Sequence, residues 1–129
     1  MPLKLTLGKG EKLIVNGAVV KNDGDVASLV FENQAHILRQ KDILTAEDAK
    51  TPAARVYLAL QCAYLFPDRR EAFVQEFDRL LGDYLQAAPS AEPLAEDIRG
   101  RLAVDQLYAG LKACQKLIEH EAGILQHAE

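Results

Sequence analysis

A chain of 129 residues, 49% hydrophobic and 26% charged, has the length and composition of one compact soluble domain or two very small modules, which excludes disorder and collagen-like repetition. Its formal net charge of −4 argues against indiscriminate nucleic-acid binding. No apolar run approaches the roughly 20 residues of a membrane span, since the run Val56 to Leu60 is interrupted at Gln61.

The first 44 residues read as short strands. Leu3, Leu5 and Leu7 alternate with Lys4 and Thr6, the period of two that turns one face to a core and the other to water. Gly8-Lys9-Gly10 breaks this strand and Glu11 to Val15 resumes it. Asn16-Gly17 then predicts a hairpin, because a type I′ turn needs positive φ at both central positions. Ala18 to Lys21 is the return strand, Asn22-Asp23-Gly24-Asp25 a second turn, Ser28 to Glu32 a fourth strand, Asn33-Gln34 a third turn, and Ala35 to Arg39 a fifth strand. Together they predict a small antiparallel sheet.

From Thr45 the period becomes helical. Thr45 to Asp48 reads as a single capped turn. Thr51-Pro52, a capping hydroxyl followed by proline at the first helical position, opens a helix that runs to about Phe66, where Pro67 stops it. Only Gln61 is plainly polar between Val56 and Phe66, so this helix belongs to a core or to a subunit interface. Asp68 to Gln86 follows, with Asp68 and Glu71 placed to cap it and Phe73, Phe77, Leu80, Leu81, Tyr84 and Leu85 on one stripe. Pro89 and Pro93 bracket a link. Leu94, Ile98 and Leu102, then Leu107, Leu111, Cys114 and Ile118, predict two more helical segments broken at Gly100, with the tail after Glu121 fraying.

The expected fold class is therefore α+β: residues 1–44 form a small antiparallel sheet of about five strands, and residues 45–129 form a bundle of three to four helices. Charge divides along the same line. Residues 1–44 carry +1 net and residues 45–129 carry −5, so a polyanion would find its site in the first third.

Signs of catalysis are lacking. His120 and His127 are two histidines without a third ligand, and His36 lies in a strand, so no metal is implied. No nucleophile elbow, phosphate-binding loop or dinucleotide fingerprint occurs, and Gly8-Lys9-Gly10 precedes a strand, which leaves no helix N-terminus for a phosphate. Carboxylates and arginines alternate at helical spacing, the pattern of a solvated face. Cys62 and Cys114 read as two reduced, buried thiols. The chain is expected to be a binding protein, without enzyme activity or cofactor.

On the strand half, Lys4 and Thr6 face outward with Lys9 and Lys12 close by, and Arg39 and Lys41 sit on or just after the last strand. If the first and last strands are neighbours, these residues make a basic edge suited to phosphates, with the arginine able to fork onto a guanine or stack on a base. A sheet this small has open edges, so a homo-oligomer is expected. Leu3 and Leu5, with Val56, Tyr57, Leu60 and Tyr64 of the apolar helix, are the candidate partner or oligomer interface. The opening Met-Pro-Leu-Lys-Leu-Thr-Leu has no long apolar core before a cleavage site, so a cytoplasmic address with no membrane attachment is expected.

The blocks Met1 to Leu7, Gly10 to Val19, Glu32-Asn33-Gln34-Ala35, Ile37-Leu38-Arg39, Asp42-Ile43, Thr51 to Tyr57 and Tyr64-Leu65 with Pro67 resemble the FlbT family of flagellum regulators, over residues 1 to about 120. The resemblance implies a post-transcriptional regulator whose partner is the 5′ untranslated leader of flagellin messenger RNA, repressing its translation and promoting its decay. The strand half also resembles the CsrA family of small β-sheet translational repressors, through Leu3 to Leu7, Gly10-Glu11, and Arg39 with Asp42-Ile43. That second likeness implies two interleaved chains, the first strand of one beside the last strand of the other, with Lys4, Thr6 and Arg39 on the RNA-facing edge. The CsrA pattern has two consecutive arginines after the first strand where this chain has Leu7-Gly8 and then Lys9, and its glycine-bounded loop is altered here to Asp23-Gly24-Asp25. The acidic helical half has no CsrA counterpart. It leaves open a protein adaptor that grips flagellin or another flagellar regulatory protein.

Overall fold

The computed structural model describes residues 3–127, with side chains described through residue 125. The chain divides into two compact units, Met1–Ile43 and Leu44–Glu129.

The first unit is all strand and turn: β1 Leu3–Leu7, β2 Lys12–Val15, β3 Ala18–Lys21, β4 Ala27–Phe31 and β5 Ile37–Arg39. They form two antiparallel sheets, β1-β4 and β3-β2-β5, where the sequence predicts one. Asn16 (φ 51°) and Gly17 (φ 86°) both take positive φ between Val15 and Ala18, as a type I′ hairpin requires. The fifth strand begins two residues later than expected. Ala35 and His36 do not enter the ladder, because the His36 amide donates to Asn16 Oδ1 (2.9 Å) and the His36 carbonyl accepts from the Asn16 amide (2.9 Å).

Leu5, Leu7, Leu13 and Ile37 form this unit's buried cluster, with Val15, Leu29, Phe31 and Ala35 packed against it. Leu3 shares the inward face by register but runs past the cluster and is 47% exposed. With so small a core, turn chemistry carries much of the specification. Asn22 is its hub. Its Nδ2 donates to the carbonyls of Leu7 (2.9 Å) and Asp25 (2.8 Å), and its Oδ1 accepts from the Gly24 amide (3.0 Å). Its own amide and carbonyl bond Glu11 and Gly10. Asn22→Ala removes the three side-chain bonds and is expected to cost about 1–3 kcal/mol, read as a lowered urea midpoint; an unchanged midpoint would contradict this role.

The second unit opens with a single turn in which the Asp48 amide and Thr45 carbonyl bond at 3.0 Å, and then carries four helices: α1 Pro52–Leu65, α2 Arg70–Ala87, α3 Glu92–Ala103 and α4 Leu107–His127. Short 3₁₀ turns, Pro67–Arg69 and Pro89–Ala91, lead into α2 and α3. Thr51 caps α1 by accepting from the Ala54 amide (3.2 Å). A second orphan donor, the Ala53 amide, is satisfied by Glu121 Oε2 from α4 (3.0 Å), a carboxylate at the positive end of the helix dipole. α2 starts without a side-chain cap, so Asp68 and Glu71 do not act as expected.

α1 is the central helix, packed by α2 and α4, while α3 packs on α4. Ala53, Val56, Leu60 and Ala63 are fully buried, as are Phe77 and Leu81 of α2, Ile98 of α3, and Leu111, Cys114 and Leu117 of α4. Gln61, the polar break in α1, is buried and exchanges hydrogen bonds with the amide (2.8 Å) and carbonyl (3.0 Å) of Leu44. Burial pushes the Cys114 thiol up to about 12, and also raises the half-buried Cys62 thiol.

Two boundaries differ from the sequence expectation. α3 runs through Gly100 and ends at Ala103, where Asp105 adopts φ 60° and the Gln106 and Asp105 amides donate to the carbonyls of Arg101 (2.9 Å) and Leu102 (3.0 Å). That is a Schellman stop, and it spends its left-handed residue on aspartate instead of glycine. α4 continues past Glu121, where the tail is expected to begin, to His127, and Glu121 itself is tied to the start of α1.

Candidate functional site

On the outward face of the β1-β4 ribbon, Lys4 stands opposite Val30 and Thr6 opposite Ser28, and all four are exposed. Within one chain β1 pairs with β4, and β5 with β2. The first and last strands are therefore not hydrogen-bonded neighbours here, which was the condition set for a basic edge. Strand choice is non-local, and a hydrophobic alternation does not say which ladder it joins.

Arg39 nonetheless reaches β1 with its side chain. Its Nη2 donates to the Thr6 carbonyl at 3.3 Å and lies 4.0 Å from Glu11 Oε2. Glu11 is itself held by the Gly8 amide, which donates to its Oε1 at 2.8 Å. The guanidinium is thus fixed near the C-terminal end of β1 while its side chain stays 42% exposed, leaving other N–H donors of the fork for an outside acceptor.

Lys12 opens β2 directly opposite Lys21 at the end of β3. Two lysines in register repel each other unless an anion lies between them. Lys21 escaped the sequence reading, and only the hairpin register locates it; counting outward from Asn16-Gly17 would have found it. The Lys12 amide donates to Gln40 Oε1 (2.6 Å), which ties β2 to the 3₁₀ turn Gln40–Asp42 after β5, where Lys41 is exposed. Lys9 is exposed in the turn between β1 and β2. The fold thus brings Thr6, Glu11 and Arg39 into direct association, sets Lys4 two residues along the same face, and pairs Lys12 with Lys21.

Of the six residues expected at a partner interface, Leu3 is exposed. Leu5, Val56, Tyr57, Leu60 and Tyr64 are buried by the chain itself, which places the apolar helix in the core. His120, expected to be a solvated histidine, is half-buried between two hydroxyls: Tyr84 Oη lies 2.8 Å from Nδ1 and Ser90 Oγ 2.9 Å from Nε2. Burial first, and then the Glu121 charge, raise the Tyr84 phenol, so the phenol stays neutral and the arrangement acts as a clasp joining α2, the turn before α3, and α4. His127 falls beyond the described side chains. Among the described residues no group of three or more His, Cys, Asp or Glu is placed to hold a metal, and no helix is long and apolar enough to cross a membrane.

A family profile described as "Flagellar protein FlbT" matches residues 3–125. Similar proteins include the "Probable flagellum biosynthesis repressor protein FlbT" of a Caulobacter species, 36% identical over 129 residues that cover 98% of each chain. The "Flagellum biosynthesis repressor protein FlbT" of Caulobacter vibrioides is 36% identical over 98% of this chain and 92% of its own. A Bradyrhizobium diazoefficiens protein with the name "Probable flagellum biosynthesis repressor protein FlbT 1" is 39% identical over 94% of this chain and 83% of its own. No solved structure matches the chain. A profile match over nearly the whole length, together with these relatives, shows that the chain belongs to the FlbT family of flagellar proteins.

Proposed function

We propose that this protein is a cytoplasmic post-transcriptional repressor of flagellum biogenesis that binds the 5′ leader of flagellin messenger RNA with its strand unit. It blocks translation and promotes decay of the message by occupying it, and it turns nothing over. The observation that carries this reading is Arg39 held against the Thr6 carbonyl on the same strand as outward-facing Lys4. An arginine held by a carbonyl and paired with Glu11 only at 4.0 Å, beside an exposed hydroxyl and a lysine, can engage phosphates and unstacked bases together. Lys12 with Lys21, Lys9 and Lys41 supply further cations on a unit whose net charge is +1. The word "repressor" in the relatives' names agrees with this direction of control.

The unit's outer strand edges favour a second copy. Among the described residues β1, β3, β4 and β5 each have one hydrogen-bonded neighbour, and Val19, Val20, Val26 and Val30 are exposed. Pairing β1 of one chain beside β5 of another would cover those two open edges and line up Lys4, Thr6 and Arg39 along one ridge.

Direct binding of purified protein to the flagellin leader RNA at two salt concentrations, beside a scrambled RNA, tests the proposal. Expected is leader-selective binding that weakens as salt rises, since each neutralised phosphate releases a counterion. Equal binding to both RNAs, or none to either, overturns it.

A further inference from the structure

The helical unit carries an apolar groove that its four-helix core does not use. It encloses about 390 Å³ between the start of α1, the second half of α2 and the end of α4. Leu80, Tyr84 and Ala88 line it from the α2 side and Ile124 and Leu125 from α4. Ile124 is 41% and Leu125 56% exposed, two aliphatic side chains left in water side by side. Asp83 and Arg55 also border the groove, as does Glu121. Glu121 is already committed to the Ala53 amide, and Asp83 reaches Arg79 only at 3.6 Å, with a side chain 66% exposed.

We propose that this groove is a docking site for an amphipathic helix of a partner protein, one whose apolar stripe is flanked by lysine or arginine. The volume suits a few aliphatic side chains projected at i, i+3/i+4 and i+7. Charge selects among possible occupants. Residues 45–129 carry −5 net, and among the described residues the groove's border holds two carboxylates against one guanidinium. A second copy would bring an equally negative helical unit against this one, a fatty-acid carboxylate would face more like charge than unlike, and RNA would be repelled. A basic helix meets favourable charge at Asp83 and desolvates Ile124 and Leu125, while the methylenes of Arg55 cover its edge. The groove's lining residues all belong to the helical unit, so the proposal does not rest on the RNA reading.

The probe is a synthetic helix of about 15 residues with leucines at those spacings and lysines along both flanks, titrated against the full chain by fluorescence anisotropy and compared with a scrambled peptide of the same composition. Saturable micromolar binding is expected to weaken about tenfold or more in Leu125→Gln and in Asp83→Lys, since a central apolar anchor and its charged neighbour dominate such contacts. Both positions are exposed, so the variants keep their fold. Val104→Gln, at an exposed valine outside the groove, should bind like the parent chain. Three results overturn the proposal: equal binding of the scrambled peptide, unchanged binding by Leu125→Gln, or self-association of the chain that Leu125→Gln abolishes, which would make the occupant a second copy. Displacement of the peptide by leader RNA would also overturn it, because the two sites would then be one.

Discussion

Lys4→Ala combined with Arg39→Glu is expected to weaken leader-RNA binding by at least about thirtyfold and to flatten its salt dependence. Each phosphate or base contact is worth about 1–3 kcal/mol, and each lost phosphate contact lowers the salt slope by about one. The two positions act differently. Lys4 is a point charge on the exposed face of β1, so its loss removes a counterion-releasing contact and affects all sequences alike. Arg39 is oriented by the Thr6 carbonyl, so it can discriminate, and its loss should fall more heavily on the leader than on scrambled RNA. Arg39→Glu also sets a carboxylate near Glu11, the acid now 4.0 Å from the guanidinium. Arg39→Gln therefore serves as the companion variant: it removes the charge without the repulsion and should retain the circular dichroism of the parent chain. Parental affinity in the double variant, with the fold intact, would end the strand-edge reading.

Legibility in the sequence followed the range of the interaction. The Asn16-Gly17 hairpin could be read because positive φ is a local demand that few residues meet, and both residues take it. Thr51-Pro52 could be read because cap and first-turn proline are adjacent, and the cap bond to Ala54 spans three residues. The partner of β1 could not be read, since the leucine alternation that buries Leu5 and Leu7 would serve equally well beside β4 or β5. Gly100 misled for a related reason: glycine is the usual helix stop, but the Schellman bonds formed around Asp105 instead. At Gly110 the missing side chain serves packing, because a Cβ there would come 2.9 Å from Leu102 Cδ2. Least legible were the side-chain links at long range. Glu121 reaches the start of α1 across 68 residues and His120 reaches Tyr84 across 36. No periodicity encodes such a pair, and both pass in sequence for solvated residues on a helix. The RNA-facing candidates were visible as chemistry, with Lys21 added only by register, whereas the groove beside Leu125 depends on three helices converging and had no signature in the chain.

Phe77→Ala is expected to give the largest loss of stability among core truncations, about 3–5 kcal/mol by urea unfolding. Phe77 is fully buried, on the stripe of α2 that packs against α1. Deleting its ring removes transfer energy and leaves a cavity that neighbouring helices, fixed by the Thr51 and Glu121 caps, can close only in part. Set against a domain stability of about 5–15 kcal/mol, that loss brings the helical unit close to unfolding at moderate temperature. Phe73, one turn earlier on the same stripe, provides the comparison. It is half-buried, with its ring 6.2 Å from that of the exposed Phe66. Phe73→Ala should cost about 1–2 kcal/mol, since much of its surface is already in water. If the stripe residues contributed by hydrophobicity alone, the two truncations would cost the same. A gap of at least about 1 kcal/mol would show that burial under α1 sets the ranking, and the reverse order would show that α2 does not pack on α1 through Phe77.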